Sequence, residues 1–331
     1  MIRPKITVVV TGGTIDALGR DRLDLSAYQE TGDHLTAMQL LARIPEVAEF
    51  AAIHLEDPPR VLGPRVSLDD VMAFTCKLQE YLDDPATAGL VVTRGTNTLE
   101  EFAYLAHLTL TTNKPVVFVG AMRPASGLGT DGDLNLLRAV QVAADEGAHG
   151  QGVLVVLNDR IYSARDVTKT ATYRVDAFAG RDLGPLGFAD ADGRVVLYHS
   201  HMRGHTGATR FTADEAPLPR VDILVSYVGA DGLLVDAAVA AGARGIVSAG
   251  MGAGFPTAKE MDALRRAQAG ETVVAISSRV GSGRVTARPA VRQEGFIATD
   301  NLVPWKARIL LALCLRHEMS IDAIQETFDS H

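Results

Sequence analysis

Apolar residues return along this chain in two rhythms. Short unbroken runs rich in Val and Ile predict buried strands at Ile6 to Val10, Leu90 to Thr93, Pro115 to Gly120 and Gly152 to Leu157. Between them apolar positions recur at helical spacing, in a helix opened by Thr98 and running through Leu110 and in another over Asn135 to Ala144. Thr98 and Glu101 stand at the spacing at which a hydroxyl and a carboxylate cap a helix reciprocally. Such alternation predicts an α/β protein whose parallel sheet is covered on both faces.

The rhythm breaks from about Phe188 to Pro219, where ADADGR, HMRGHTGATR and DEAPLPR are polar, aperiodic and interrupted by Gly and Pro. It resumes with strands expected at Ile223 to Tyr227, Gly245 to Ala249 and Thr272 to Ser277. Helices are expected around Leu233 to Ala241, over Ala258 to Ala269, and from Pro304, a residue suited to a first helical position, through Leu315. The organisation read from this is an α/β domain over residues 1–203, a linker over 204–219 and a second α/β domain over 220–331.

Composition excludes some partners. With 331 residues, 47% of them hydrophobic, the chain can bury a sizeable core. A net charge of −8 without a Lys/Arg run gives neither nucleic acid nor an anionic membrane a surface to bind. No uninterrupted apolar window reaches the roughly 18 residues of a membrane helix. The opening MIRPKITVVVTGG is short and ends in Gly-Gly, so it reads as a strand and not as a signal peptide, and the cytoplasm is the expected compartment. Cys76 and Cys314, each in a helix-like stretch, are expected as buried thiols.

Candidate chemistry gathers at three places. Thr11-Gly12-Gly13-Thr14-Ile15 follows the first strand directly. A Gly-Gly turn there lets the backbone approach a ligand and exposes the next hydroxyl, which can serve as a nucleophile beside free N–H groups; a phosphate loop or a plain turn fits the same pattern. Thr93-Arg94-Gly95-Thr96-Asn97-Thr98 repeats the arrangement after another strand. Arg165-Asp166-Val167-Thr168-Lys169-Thr170 places a lysine in a loop, ordinarily solvated, which near a buried hydroxyl could lose its proton and act as a base. Two further patterns are weaker. Gly250 to Phe255 (GMGAGF) has Phe where a dinucleotide fingerprint needs its third glycine. His199, His201 and His205 admit either a metal or polar linker contacts, and no Cys or carboxylate partner stands close to favour the metal.

Together these segments resemble the L-asparaginase family of the bacterial type. The resemblance runs through TGGTI at 11–15, VVTRGTNTLEE at 91–101, KPVVFVGAMRP at 114–124, RDVTKT at 165–170, GPLG at 184–187, GIVSAG at 245–250, SSRVGSG at 277–283 and PWKARILL at 304–311. It implies a larger N-terminal parallel-sheet domain, a smaller flavodoxin-like C-terminal domain and a homodimer or homotetramer with its active site near the dimer interface. It also implies hydrolysis of a small-molecule amide, L-asparagine by default, with no metal or organic cofactor. Thr14 matches the first catalytic threonine and Tyr28 the tyrosine that assists it, in a lid over Asp16 to His34. Thr96 matches the second catalytic threonine and Lys169 its partner, with backbone near Gly13 and Thr96 receiving the oxyanion.

The resemblance fails at substrate-binding positions. The family's His-Gly-Thr-Asp is here Arg94-Gly95-Thr96-Asn97, so an amide replaces a carboxylate; its Gly-Ser-Gln segment falls on Gly63-Pro64-Arg65. The neighbouring subunit's asparagine and glutamate fall on Ala253 and near Arg288 to Ala290. An ammonium without a counter-charge is costly to bury. A substrate lacking a free α-ammonium, held by Arg65 and Asn97, is therefore an alternative to asparagine, and a catalytically silent ligand-binding homologue is another.

Overall fold

The structure is a computed structural model and describes residues 3–60 and 66–331. The expected substrate contacts Pro64 and Arg65 lie outside the described residues. The chain forms two compact units that divide in sequence between Glu215 and Ala216.

In the first unit the strands are β1 (Lys5–Val10), β2 (Ala52–Glu56), β3 (Gly89–Thr93), β4 (Val116–Val119), β5 (Val153–Leu157), β6 (Arg160–Ser163), β7 (Thr168–Lys169), β8 (Phe178–Ala179), β9 (Gly187–Ala189) and β10 (Val195–Leu197). Its helices are α1 (Ala37–Leu41), α2 (Val47–Phe50), α3 (Leu68–Asp83), α4 (Leu99–Thr109) and α5 (Gly132–Ala143). One sheet runs β10-β9-β6-β5-β4-β3-β1-β2, parallel from β5 to β2. Every residue of β3, β4 and β5 is buried, as expected where helices cover both faces. Ile6, Val8 and Val10 turn to the face packed by α1, α2 and α5. On the other side α3 and α4 pack against each other and against β3 and β5. Helix α3 was not evident from the apolar rhythm, although Ser67 and Asp70 cap it reciprocally.

The strand order positions the site. From β1 the chain moves outward to β2, then crosses back over β1 to β3. The helices of the two connections lie on opposite faces of the sheet, α1 and α2 beside α5 and α3 beside α4, and the carboxyl ends of β1 and β3 lie where ligands of open α/β sheets bind.

Beyond β5 the sheet turns antiparallel. Asn158 and Asp159, both at positive φ (52° and 60°), make the two-residue turn into β6, a conformation Asn and Asp tolerate better than most residues. The break expected from Phe188 is in part a correction: residues 187–197 form the β9–β10 hairpin, closed by the Asp190 N–H to the Arg194 carbonyl and the Gly193 N–H to the Asp190 carbonyl and turned at Gly193 (φ 81°). Its strands have three residues each, too few to display a rhythm. Within 204–219, Thr206 and Phe211 are buried and the Ala213 N–H donates to the Thr109 carbonyl.

The second unit holds β11 (Val221–Val225), β12 (Gly245–Gly250), β13 (Val273–Ser278) and β14 (Ile297–Ala298), parallel and in sequential order. Helices α6 (Leu233–Ala240) and α7 (Ala258–Ala269) pack with β12 and β13 around Ile246, Leu264 and Ile276. Short α8 (Pro289–Gln293) lies against β14, α9 (Pro304–Arg316) against β11 to β13, and α10 (Ile321–Ser330) against α9 and β14. Pro304 occupies the first turn of α9, as expected. After β12, Met251 and Phe255 pair with each other through both backbone groups, so the GMGAGF stretch is a closed turn. Both cysteines are free, Cys314 buried and Cys76 partly so. Among the described residues no helix is long and apolar enough to cross a membrane.

His201 and His205 meet a third histidine, His107 of α4, while His199 is exposed. His107 is fully buried and its Nδ1 accepts the Val153 N–H at 3.1 Å. Its ring centre lies 5.4 Å from that of His201 and 5.2 Å from that of His205. His201 Nδ1 sits 3.5 Å from the Asp166 carboxylate. Among the described residues no group of three or more His, Cys, Asp or Glu side chains is arranged to hold a metal ion. Burial, with His201 and His205 adding to it, pushes the His107 imidazole well below its usual range, and burial also lowers His205. A depressed histidine leaves stability constant above the unfolded value of about 6.5 and erodes it as pH falls below that, because only the unfolded chain takes the proton. The slope is at most about 1.4 kcal/mol per pH unit for each excluded proton. The melting temperature should accordingly hold level from pH 8 to 7 and drop between pH 6.5 and 5; a level profile across that window would contradict the account.

Candidate active site

Two turns build the floor of the site. After β1, Gly12 and Gly13 take φ of 87° and 127°, open to glycine and strained for other residues. A Cβ on Gly13 would stand 2.6 Å from the Gly95 nitrogen and 2.7 Å from its Cα, so the turn after β1 rests directly on the turn after β3. The ends of these strands are also tied by side chains: Thr11 Oγ1 donates to the Thr93 carbonyl at 2.5 Å, and Thr93 Oγ1 accepts the Thr11 N–H at 3.2 Å. The close approach brings Thr14 and Thr96 to one crevice.

Each threonine has a side-chain partner. Thr14 Oγ1 lies 2.9 Å from the Tyr28 hydroxyl, and both residues are buried. The Lys169 ammonium donates to Thr96 Oγ1 at 2.9 Å and to Asn97 Oδ1 at 3.2 Å. Lys169 comes from β7, and its backbone N–H donates to the Glu100 carboxylate at 3.0 Å. Burial pushes the Lys169 ammonium below its ordinary value, and the Glu100 charge opposes that shift.

The expected lid is folded down. Ala17 and His34 bridge its ends, with Leu18 N–H to the Asp33 carbonyl and Leu35 N–H to the Asp16 carbonyl. Ala125 N–H to Ala17 and Leu128 N–H to Arg22 fasten it to the 122–130 loop. Sequence reasoning missed the acid at its hinge. Asp16 is fully buried and takes His34 Nδ1 at 2.9 Å and Arg60 Nη2 at 3.0 Å. Burial raises its carboxyl while these two partners oppose the rise. The only signal was a charged residue placed directly after Ile15, the apolar end of the first motif.

The two turns, both hydroxyl pairs and part of the expected lid face one cavity of about 980 Å³. Its lining includes Gly13, Thr14, Tyr28, Thr96, Asn97 and Lys169, so six of the eight expected site residues gather there. Arg94 lines it as well, with its guanidinium 3.7 Å above the Phe102 ring centre. Burial lowers that group to about 10, which leaves it charged at neutral pH. Arg94 also corrects the expected cap. Thr98 does precede α4, but its hydroxyl makes no cap bond and instead accepts Arg94 Nε and Nη2 at 3.3 and 3.1 Å. A fixed cation beside the hydroxyl outcompetes a neutral N–H.

Comparison with known proteins fits this arrangement. The sequence profile "Asparaginase, N-terminal" matches residues 5–203, and "Glutaminase/Asparaginase C-terminal domain" matches 220–328. The chain belongs to the asparaginase family. It is 39% identical to a probable periplasmic L-asparaginase of Haemophilus influenzae, over 98% of this chain and 93% of that one. It is 38% identical to L-asparaginase 2 of Escherichia coli, over 99% and 93%. A glutaminase-asparaginase of Pseudomonas fluorescens is 32% identical over 98% and 89%. The crystal structure of a probable cytoplasmic L-asparaginase from Campylobacter jejuni superposes with a TM-score of 0.93 at 34% identity, covering 99% of this chain and all of that one. As a member of this family the chain is an amidohydrolase with asparaginase-like activity, and its two parallel-sheet domains are those of the family.

Proposed function

We propose that Thr14 is the nucleophile and that L-asparagine is the default substrate. The observation that carries this reading is the pair of hydroxyl contacts on one cavity, Thr14 with Tyr28 and Thr96 with Lys169, each at 2.9 Å. Thr14 Oγ1 attacks the amide carbon, its proton leaves toward Tyr28, and backbone N–H groups near Gly13 and Thr96 receive the oxyanion. Collapse breaks the C–N bond, the nitrogen takes the proton back from Tyr28 and departs as ammonia, and an acyl ester remains on Thr14. Water then attacks that ester while Thr96 and Lys169 take its proton, releasing the carboxylate and restoring the hydroxyl. Both hydroxyl pairs also argue against a silent binding homologue, which would need neither.

A second reading is favoured by the cavity's charge. Arg94 and Lys169 are cations on its wall, and none of its described lining residues is Asp or Glu. An anionic amide without a free α-ammonium, such as succinamate or an N-acylated asparagine, fits that wall better than a zwitterion does. Ammonia release across asparagine, glutamine, succinamate and N-acetylasparagine tests both readings. Highest kcat/KM on asparagine supports the first and preference for succinamate the second; no release from any amide, by folded protein, would sink both.

A cytoplasmic address is the further part of this reading, supported by the likeness to the Campylobacter protein, although the Haemophilus relative is named periplasmic. So is assembly as a homodimer or homotetramer with the site near the dimer interface.

A further inference from the structure

We infer that Glu100 is the positioning residue of the Thr96–Lys169 pair: its buried carboxylate fastens the main chain at Lys169 to the first turn of α4 and supplies the negative charge that acts on the lysine. The inference rests on the proposed role of Lys169 as base.

Its basis is the separation of the parts. Thr96 and Lys169 lie 73 residues apart and on different elements, Thr96 on the turn after β3 and Lys169 on β7, which has two residues. So short a strand cannot by itself hold a long side chain to a hydroxyl within hydrogen-bond reach. Glu100 stands in the first turn of α4, four residues after Thr96, and is buried. Its Oε1 accepts the Lys169 N–H at 3.0 Å, so one carboxylate ties the lysine's backbone to the element that carries the threonine. The helix N-terminus suits an anion there.

The second part concerns charge. Asn97 Oδ1 meets the ammonium but brings no charge. Among the described residues Glu100 is the carboxylate whose field acts on Lys169. Burial lowers the Arg181 guanidinium, and the charges of Glu100 and Asp182 oppose that shift, so the same carboxylate also acts on this arginine. A lysine without Glu100 would be left with burial unopposed, and would hold its proton less tightly.

The test is a pH–rate profile of the full-length protein with asparagine, or with whichever amide it turns over best. If Lys169 must be deprotonated to act, the profile rises with pH through its titration. Glu100→Gln keeps an oxygen for the Lys169 N–H and removes the charge, so the rise should move to lower pH by about one unit. Asn97→Asp should move it to higher pH, and Asn97→Asp with Glu100→Gln should return it toward wild type. Glu100→Asp keeps the charge but shortens the tether, so kcat should fall about tenfold or more while the rise stays in place. An unmoved rise in Glu100→Gln, or loss of activity in both Glu100 variants that merely follows loss of melting temperature, overturns the inference. Lys169→Met separates the two levels: an inactive Lys169→Met beside an unmoved Glu100→Gln removes Glu100 alone, whereas an active Lys169→Met removes the base and this inference with it.

Discussion

Thr14→Ala should leave a normally folded protein with turnover reduced by about a thousandfold or more, a barrier increase of roughly 4 kcal/mol. The size follows from what is deleted. The hydroxyl is the atom proposed to bond to the substrate, and neither Tyr28 nor Thr96 stands where Thr14 Oγ1 does. Folding should survive because Thr14 carries no β-sheet bond and its side-chain partner is the Tyr28 hydroxyl, which can turn to solvent or to Gln29 Nε2, 3.5 Å away. The measurement is kcat/KM on the best amide alongside the melting temperature. Activity within tenfold of wild type would transfer the nucleophile's role to another hydroxyl, with Thr96 first to be examined.

Gly13→Ala should fail in the opposite way, losing stability and activity together. Its φ of 127° is strained for an L-residue, and its new methyl would meet the Gly95 backbone at 2.6 and 2.7 Å, where no flexible side chain can yield. Strain and overpacking together cost about 3 kcal/mol, which for a domain of this size lowers the melting temperature by roughly 6–12 °C. To relieve the overlap the turns after β1 and β3 must part, so Thr14 and Thr96 separate and kcat falls by on the order of a hundredfold. The informative comparison is with Thr14→Ala, which should lose activity at unchanged melting temperature. A Gly13→Ala protein as stable and active as wild type would mean that the two turns do not rest on each other.

Strands β1, β3, β4 and β5 of the parallel sheet were legible because each is an unbroken apolar run ending at Gly or a polar turn, as β1 does at Gly12 and β3 at Gly95, whereas β2 was missed because His54 and Glu56 interrupt its run at the edge of the sheet. Their order was not. That β1 lies between β2 and β3 depends on pairings such as Val8 with both Leu55 and Val91, which no local pattern encodes. The antiparallel strands were missed for a different reason: segments of three or four residues, like β6 and β9, are shorter than the rhythm that would reveal them. In the site, Gly12, Gly13 and Thr14 could be singled out from local chemistry alone. Lys169 could be named as a base but not told from a solvated loop lysine, and Tyr28 was singled out by resemblance alone, since an isolated lysine or tyrosine looks the same whether it faces water or a hydroxyl. Glu100 was hidden behind an ordinary explanation, because an acid in a helix's first turn already has a reason to be there.

Thr96 and Asn97 are neighbours on one turn, yet Thr96 is buried and Asn97 exposed. A change at 96 must fit against Gly120, whose own Cβ would stand 3.0 Å from Thr96 Cγ2, and must keep a hydroxyl for Lys169. A change at 97 displaces nothing in the core and alters only what the rim offers to a substrate and to the lysine. Selection can therefore rewrite position 97 in a single step while position 96 stays fixed. Under the proposed function, position 97 is thus where the preferred amide can change without disturbing the groups that react.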